Sequence, residues 1–526
     1  MTENKKATSI SQQVIDYRDE ISMIVDKELR KLDEYRSDLD GLVAGAHVDQ
    51  QDVALMARAT AAVDNAKKLL QELKTFAIQD DEARAFNEMI KHAGFAFRSS
   101  VAARTALVRH TPTLAGFPHT LDPGQNHHFS RSDHIIDYGR NAYHQFQESR
   151  SGSPRILIDH PALKTTADSV ARIVWDQPPL DSSVLFSSAM GAIGSLIDCI
   201  LLLSRKASAT NVVARRCWFE IRQYVHERYP QEFALRDECD TEAILEAIEN
   251  PEICGIILEP MANYPEMPVV ELDRVVQKLK KTEYPNPKIV VFDIVHTPEL
   301  DIHRRYFADA VPRNLCVALV ISGVKYLQAG WDISKSGLVS LLYNKDDFTI
   351  GEQTVYEKLI DIRSVSGRAP SIEEAYLADI ETAESFHSRM SRYDENTQYF
   401  AGKLDNWMRE QELGYVSSPW LPDHPGHDVA MTGYGTGGRM LFLFFDQERV
   451  DEGRLGQLFK DLATTAAEQG ISLMAAPSFG LAPPHLHIVI RPELPTSLRV
   501  STGSTDRVTL ERLLDFFISY LKEYTS

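Results

Sequence analysis

Apolar positions along the chain fall into three regimes. From about Ser9 to Arg109 they recur at helical spacing, as in VIDYRDEISMIVDKELRKLDEY and VALMARATAAVDNAKKLLQELKTFAI, and no Gly or Pro breaks either run. The pattern predicts a helical hairpin or small bundle used for packing or oligomerisation, and nothing in it looks catalytic. From about Ser130 to Tyr343, short runs rich in β-branched residues alternate with helical segments. They include SSVLFSS, ATNVVARR, CGIILEP, KIVVFDIV, NLCVALVISG and GLVSLLY. Strands alternating with helices predict a mainly parallel sheet covered by helices on both faces. From about Ile350 a long helical region leads to a second α/β unit. Its strands are expected in GRMLFLFF, ISLMAAP, HLHIVIRP and SLRVSTG, and a terminal helix in TLERLLDFFISYLKEY. The expected divisions are a helical extension over 1–120, a large domain over 121–350, and a linking helix with a small domain over 351–526.

Composition changes this picture little. The chain has 526 residues, 43% hydrophobic and 25% charged, which suits an ordinary soluble protein of more than one domain. A net charge of -19 argues against general nucleic-acid or anionic-membrane binding. The five cysteines are scattered, with no CxxC pair, so neither a disulfide framework nor a structural zinc site is expected. The first residues, MTENKKATSISQQ, hold no apolar signal region, and no apolar run is long enough to span a bilayer. A cytoplasmic location is the expectation. The stretch TPTLAGFPHTLDPGQNHH (111–128) reads as a linker. Its His127-His128 pair lacks a third ligand at a suitable spacing, so no metal site is expected.

In open α/β sheets, ligands bind beyond the carboxyl ends of the strands. There the sequence places Ser187-Ser188, Glu259, Asp293 and the run from Ser322 to Lys325. A lysine at the end of a buried strand is poorly solvated. Desolvation lowers an amine's pKa, and a neutral amine is a nucleophile. Such a lysine can hold an aldehyde cofactor as a Schiff base. Pyridoxal 5'-phosphate chemistry also needs a carboxylate at the pyridine nitrogen, an anion cradle, an aromatic over the ring and an arginine for the substrate carboxylate. Asp293, the turn Ser188–Ile193, Trp218 and Arg499 are the candidates in that order.

These residues carry a resemblance. Ser322-Gly323-Val324-Lys325-Tyr326, then Gly330-Trp331-Asp332 and Gly337, resemble the S-x-x-K-Y, G-H-x-D and glycine of the cystathionine γ-synthase branch of fold-type I pyridoxal-phosphate enzymes. Ser187-Ser188-Ala189-Met190-Gly191-Ala192-Ile193 resembles that branch's S-S-G-M-A-A-I. Glu259 and Asn263 keep the spacing of its E-x-P-x-N-P, Tyr138-Gly139-Arg140 fits its Y-x-R, and Ser478-Phe479-Gly480 fits a serine in a glycine-containing loop. Arg499-Val500-Ser501-Thr502-Gly503 fits its R-[LF]-S-x-G strand, and the helix with Arg389-Met390 and Asn396 resembles its domain-linking helix. The match is collinear from about Ser130 to Ser526.

The resemblance implies a fold-type I architecture, a large mainly parallel domain plus a small C-terminal α/β domain, here with an N-terminal helical extension. It makes Lys325 the Schiff-base lysine, Asp293 the partner of the pyridine nitrogen, and Asn263 the partner of the phenolic oxygen. Ala189, Met190, Gly191 and Ser322 would line the phosphate. Tyr138 and Arg140 would reach the phosphate of a neighbouring subunit, implying a homodimer or homotetramer. Ser478 and Arg499 would hold the substrate α-carboxylate. Trp218 stands where the branch has Y-G-G-T, and ring stacking and core packing are even readings of it. Asp293 alone could also be a helix cap, and His296 is expected as a buried histidine with its hydrogen bonds met. Val324 and Trp331 replace a usual threonine and histidine, the segment 145–168 is longer than usual, and the loop after Ser478 is shorter. These departures cluster at substrate access and imply a specialised member, of the kind expected in secondary metabolism. The implied activity is γ-elimination or γ-replacement on an amino acid with a Cγ leaving group, through a vinylglycine-type intermediate. O-acylhomoserine, cystathionine and S-adenosylmethionine are the candidate substrates. An aminotransferase, β-lyase, decarboxylase or inactive scaffold is the alternative.

Overall fold

The computed structural model describes residues 17–45, 50–75, 92–103, 161–176, 178, 182–204, 210–308, 310–476, 478–491 and 493–525. Tyr138, Arg140, His127 and His128 lie outside them. The larger sheet has seven strands: β1 (Ser183–Phe186), β2 (Asn211–Ala214), β3 (Phe233–Arg236), β4 (Gly255–Leu258), β5 (Lys288–Asp293), β6 (Leu315–Ser322) and β7 (Gly337–Tyr343). Their order is β1-β7-β6-β5-β4-β2-β3. Only β7 runs against the others, pairing antiparallel with β1 and β6. Except for β3 and the last residue of β7, every position in these strands is buried. That explains their unbroken β-branched runs, since a sheet covered on both faces has no polar face to alternate with.

Beyond a two-stranded hairpin, β8 (Thr349–Ile350) with β9 (Gln353–Thr354), a second sheet follows. It holds β10 (Gly414–Ser417), β11 (Leu441–Phe445), β12 (Met474–Ala475), β13 (His485–Arg491) and β14 (Leu494–Ser501), in the order β10-β11-β14-β13-β12. Its core is shared with the long helix Ala383–Glu410 and the helices Glu452–Glu468 and Arg507–Thr525. Besides the short hairpin β8-β9, two strands were not foreseen. Both β3 and β10 are four-residue edge strands, partly exposed, with too few apolar positions to register. Conversely, ISLMAAP contributes only the two residues of β12.

The amino-terminal helices Tyr17–Gly45 and Gln50–Thr75 form the expected hairpin, joined by a helix over 92–103. Their apolar stripe, including Ile24, Val25, Val63, Leu70 and Phe97, is buried together with Ala329, Trp331, Ile333, Leu377, Ile380 and Ala482. Around this seam lie buried charges. Glu20, fully buried, meets Arg389 Nε at 3.2 Å and Arg392 Nη1 at 3.0 Å. Lys27 and Lys31 reach Asp379 at 2.9 and 3.0 Å. Each buried Leu, Ile or Phe contributes roughly 1.5–3 kcal/mol, whereas a buried ion pair roughly breaks even against its desolvation. The apolar stripe therefore holds the hairpin on, and the ion pairs fix where it sits.

Candidate active site

The carboxyl ends of β4, β5 and β6 lie side by side and deliver Glu259, Asp293 and Ser322 to one edge of the large sheet. Beyond Ser322 the chain turns, with the Gly323 N–H donating to Ser336 O at 2.8 Å and the Lys325 N–H to Ser322 O at 3.3 Å. It then passes through four left-handed residues, Gln328, Ala329, Gly330 and Asp332. Three of these are not glycine, a local strain that the surroundings must hold. The buried Gln328 amide does so from within, bonding to Ser334 N and O at 2.9 and 2.8 Å. Arg389 does so from outside, donating to the Tyr326 carbonyl at 2.5 Å. At Gly330 a side chain is excluded: φ is +68° and a Cβ would lie 2.6 Å from Ala482 N.

Lys325 Nζ donates to Ser478 Oγ at 2.9 Å. It stands 4.3 Å from the centre of the Phe479 ring and 5.5 Å from that of Trp218. Burial, then the charge of Arg499, lowers the amine's pKa to about 8, against the opposing pull of Glu220, Asp332 and Asp293. Asp293, also buried, is pushed up to about 7 by desolvation, while the Val295 N–H (3.2 Å) and Lys325 hold it down. Arg499, on β14, donates to Asn263 Oδ1 at 3.1 Å and to Ser478 O at 2.8 Å. Trp218 caps the helix Phe219–Arg228 and its indole N–H donates to Glu220 at 2.9 Å. Trp218, Asn263, Lys325, Ser478 and Arg499 line one pocket of about 500 Å³.

The turn after β1 is capped by Ser188, whose Oγ accepts the Gly191 N–H at 3.0 Å at the start of the helix Ala189–Ser204. Ser187 to Gly191 are only half-buried, so the helix amino terminus, with its partial positive charge, is open to an anion. Gly337 opens β7 directly against this turn; a Cβ there would lie 2.5 Å from Ser188 and Ala189 backbone atoms. The same strand that follows the lysine loop thus abuts the anion turn.

The structure brings Lys325, Asp293, Asn263, Trp218, Ser478 and Arg499 together, with Ser322, Ala189, Met190 and Gly191 at the neighbouring strand ends. A pyridoxal phosphate fits the donor set. A depressed amine stands in the turn after β6 and a buried carboxylate at the end of β5, the two kinds of group that an aldehyde and a pyridine nitrogen call for. The Asn263 Nδ2 is buried with no hydrogen-bond partner among the described residues, a donor that lacks its acceptor. His296 departs from expectation. It is buried and stacked on Phe479 at 4.5 Å, yet neither ring nitrogen has a partner among the described residues. Its nearest acid, Glu259, is 3.8 Å away, and burial keeps the imidazole neutral by lowering its pKa well below the usual value. Phe479 was visible in its motif but received no role. Its ring forms the floor between Lys325, His296 and Arg499, a position that only tertiary packing reveals. His487 and Arg491 of β13, which also line the pocket, carried no motif at all.

No family model matches the chain, and no characterised protein matches it by sequence. Solved structures do match in fold. MetB from Corynebacterium glutamicum aligns with a TM-score of 0.53 at 20% identity, covering 69% of this chain and 86% of that one. A cystathionine gamma synthase from Xanthomonas oryzae pv. oryzae, in complex with cystathionine, aligns at 0.53 and 18% identity over 70% and 87%. A methionine gamma lyase from Micromonospora echinospora aligns at 0.50 and 16% identity over 70% and 88%. The chain has the fold-type I architecture that its motifs imply. Among the described residues no helix is long and apolar enough to cross a membrane.

Proposed function

We propose that the protein is a pyridoxal-phosphate enzyme that eliminates or replaces a group at Cγ of an amino acid. The observation that carries this is the Lys325 amine: half-buried, lowered to about 8, and tethered to Ser478 beside Asp293 and Asn263. The cofactor, when bound, draws electrons out of the bonds at the substrate α-carbon. The chain supplies the rest. Asp293 would keep the pyridine nitrogen protonated, the Asn263 Nδ2 would donate to the phenolic oxygen, and Ala189, Met190, Gly191 and Ser322 would hold the phosphate. Trp218 would cover the ring. Arg499 turns its guanidinium to the substrate α-carboxylate, with Ser478 beside it. Lys325 would take the proton from Cα; loss of a second proton from Cβ would then let the Cγ bond break, its electron pair leaving with the departing group, and in elimination the lysine would later return a proton to Cγ. By the resemblance, Tyr138 and Arg140 serve a neighbouring subunit's phosphate, so the working unit is a homodimer or homotetramer, which sedimentation of the loaded protein checks. The altered residues Val324 and Trp331 and the altered Ser478 loop support a specialised biosynthetic substrate.

The first experiment is the visible absorption spectrum of the purified protein beside Lys325→Ala, with and without added pyridoxal phosphate and a panel of amino acids. The expected result is a visible band in the wild type that the variant lacks, and a further change with the amino acid the pocket accepts. A wild type that stays colourless with added cofactor would sink the enzyme reading and revive a scaffold. Product analysis then separates γ-chemistry from transamination, β-elimination or decarboxylation, which the same lysine and aspartate serve.

A further inference from the structure

The pocket contains more positive charge than an α-carboxylate requires. Arg499 is one guanidinium in its wall; Arg491 is a second. Arg491 lies at the end of β13, packed over the rings of Phe219 and Tyr264 at 5.8 Å each. Its Nε is buried with no hydrogen-bond partner, and among the described residues no carboxylate pairs with it. The two nearby acids have their own donors: Glu220 receives the Trp218 indole and Glu493 the Tyr264 hydroxyl. Arg222, one turn along the helix from Phe219, likewise has a buried Nε without a partner among the described residues, and its charge acts on Arg491. A shift of register between Val489 and Arg491 marks a bulge, the device by which a strand re-aims a side chain.

We infer that this group is a second anion subsite, so that the substrate is an amino acid whose side chain ends in its own carboxylate, bound by Arg491 with Arg222 behind it. The inference rests on the function proposed above. Spacing agrees with it. His487 pairs with Arg499 across the ladder, and Arg491 lies four residues further along the same strand beyond the bulge, at most about 13 Å at 3.3 Å per residue. Both side chains face the pocket, and the span between them suits an extended side chain of several atoms. His487 Nδ1, buried and without a partner among the described residues, adds a hydrogen-bonding group at the Arg499 end of the same wall. A cationic sulfonium is disfavoured by the same wall, because its two guanidiniums outnumber its one carboxylate, Glu220. Among the expected substrates, those with a distal carboxylate fit and S-adenosylmethionine does not.

Titration calorimetry of the full chain loaded with pyridoxal phosphate tests this with two probes that carry no leaving group, L-2-aminoadipate and L-norleucine. Aminoadipate is expected to bind at least about tenfold more tightly, since a charge-assisted bidentate contact separates the two. Arg491→Gln abolishes that preference and leaves norleucine within about twofold. Arg491→Lys recovers part of it, because charge returns without the planar fork. Equal affinities on the wild type, or a variant that weakens both probes alike, overturns the subsite while the Lys325-dependent band stands. Absence of that band overturns the reading beneath it and the subsite together.

Discussion

Lys325 and Asp293 are each held in a protonation state that water would not favour. The amine titrates near 8 rather than 10.5 because burial and then Arg499 disfavour its charged form. Between those values the folded chain has shed a proton that the unfolded chain keeps, so this group's contribution to stability rises with pH through that window. The rate of cofactor capture should rise with pH and level off above about 8, and Arg499→Gln should move that midpoint upward. Stopped-flow absorbance reads both; an unmoved midpoint would remove Arg499 from the account. Asp293 is the opposite case. Its pKa is raised to about 7, so from about 4 to 7 the folded cofactor-free chain holds the extra proton and loses stability as pH climbs. Asp293→Asn should therefore unfold at a higher denaturant concentration than the wild type at pH 8 without cofactor. The same variant should lose at least about a hundredfold in turnover. At this scale the sequence was informative where a residue sits in a motif, as with Lys325, Asp293, Asn263, Ser478 and Arg499. It was silent on Phe479, His296 and Arg491, whose significance lies in what they stack on or fail to bond.

Among elements, the lysine loop is the one held under strain, and it is held from both sides. Gln328 bonds within it, while Arg389 on the long helix and Glu381 just before it grip it from outside, Glu381 accepting the Ala329 N–H at 3.2 Å. Gly330→Ala would drive a methyl into Ala482 N and force an L-residue to φ +68°. It should lower the visible band and displace Ser478 along with Lys325, since Ala482 follows that serine closely and donates to Gly330 O at 2.8 Å. A variant with unchanged spectrum and cofactor affinity would show that the contact between the two loops is not what positions the lysine. The buried strands were legible because a doubly covered sheet demands continuous β-branched residues. The edge strands β3 and β10 were not, because pairing at one edge needs no such pattern.

For the whole molecule, the amino-terminal hairpin is packed behind the active-site loops, not at the pocket mouth. Its helices were legible from their periodicity. Their berth was not, because an amphipathic stripe tells that it will be buried but not against what. Glu20→Gln leaves Arg392 and part of Arg389 buried without their counter-charge, at a cost of roughly 3 kcal/mol. A lower unfolding midpoint should accompany faster hydrogen exchange in 325–333. Exchange altered only within 17–103 would confine the pair's effect to the hairpin.

The distance in sequence between those partners has a temporal meaning. Glu20 and Arg392 are 372 residues apart. At 5–20 residues per second, roughly 20 to 70 s separate their appearance during synthesis. For that interval the hairpin carries an apolar stripe with nothing to cover it, and the lysine loop lacks its rear support. The catalytic centre is thus among the last parts of the protein to become complete, and the nascent chain is most in need of chaperone protection at its own beginning.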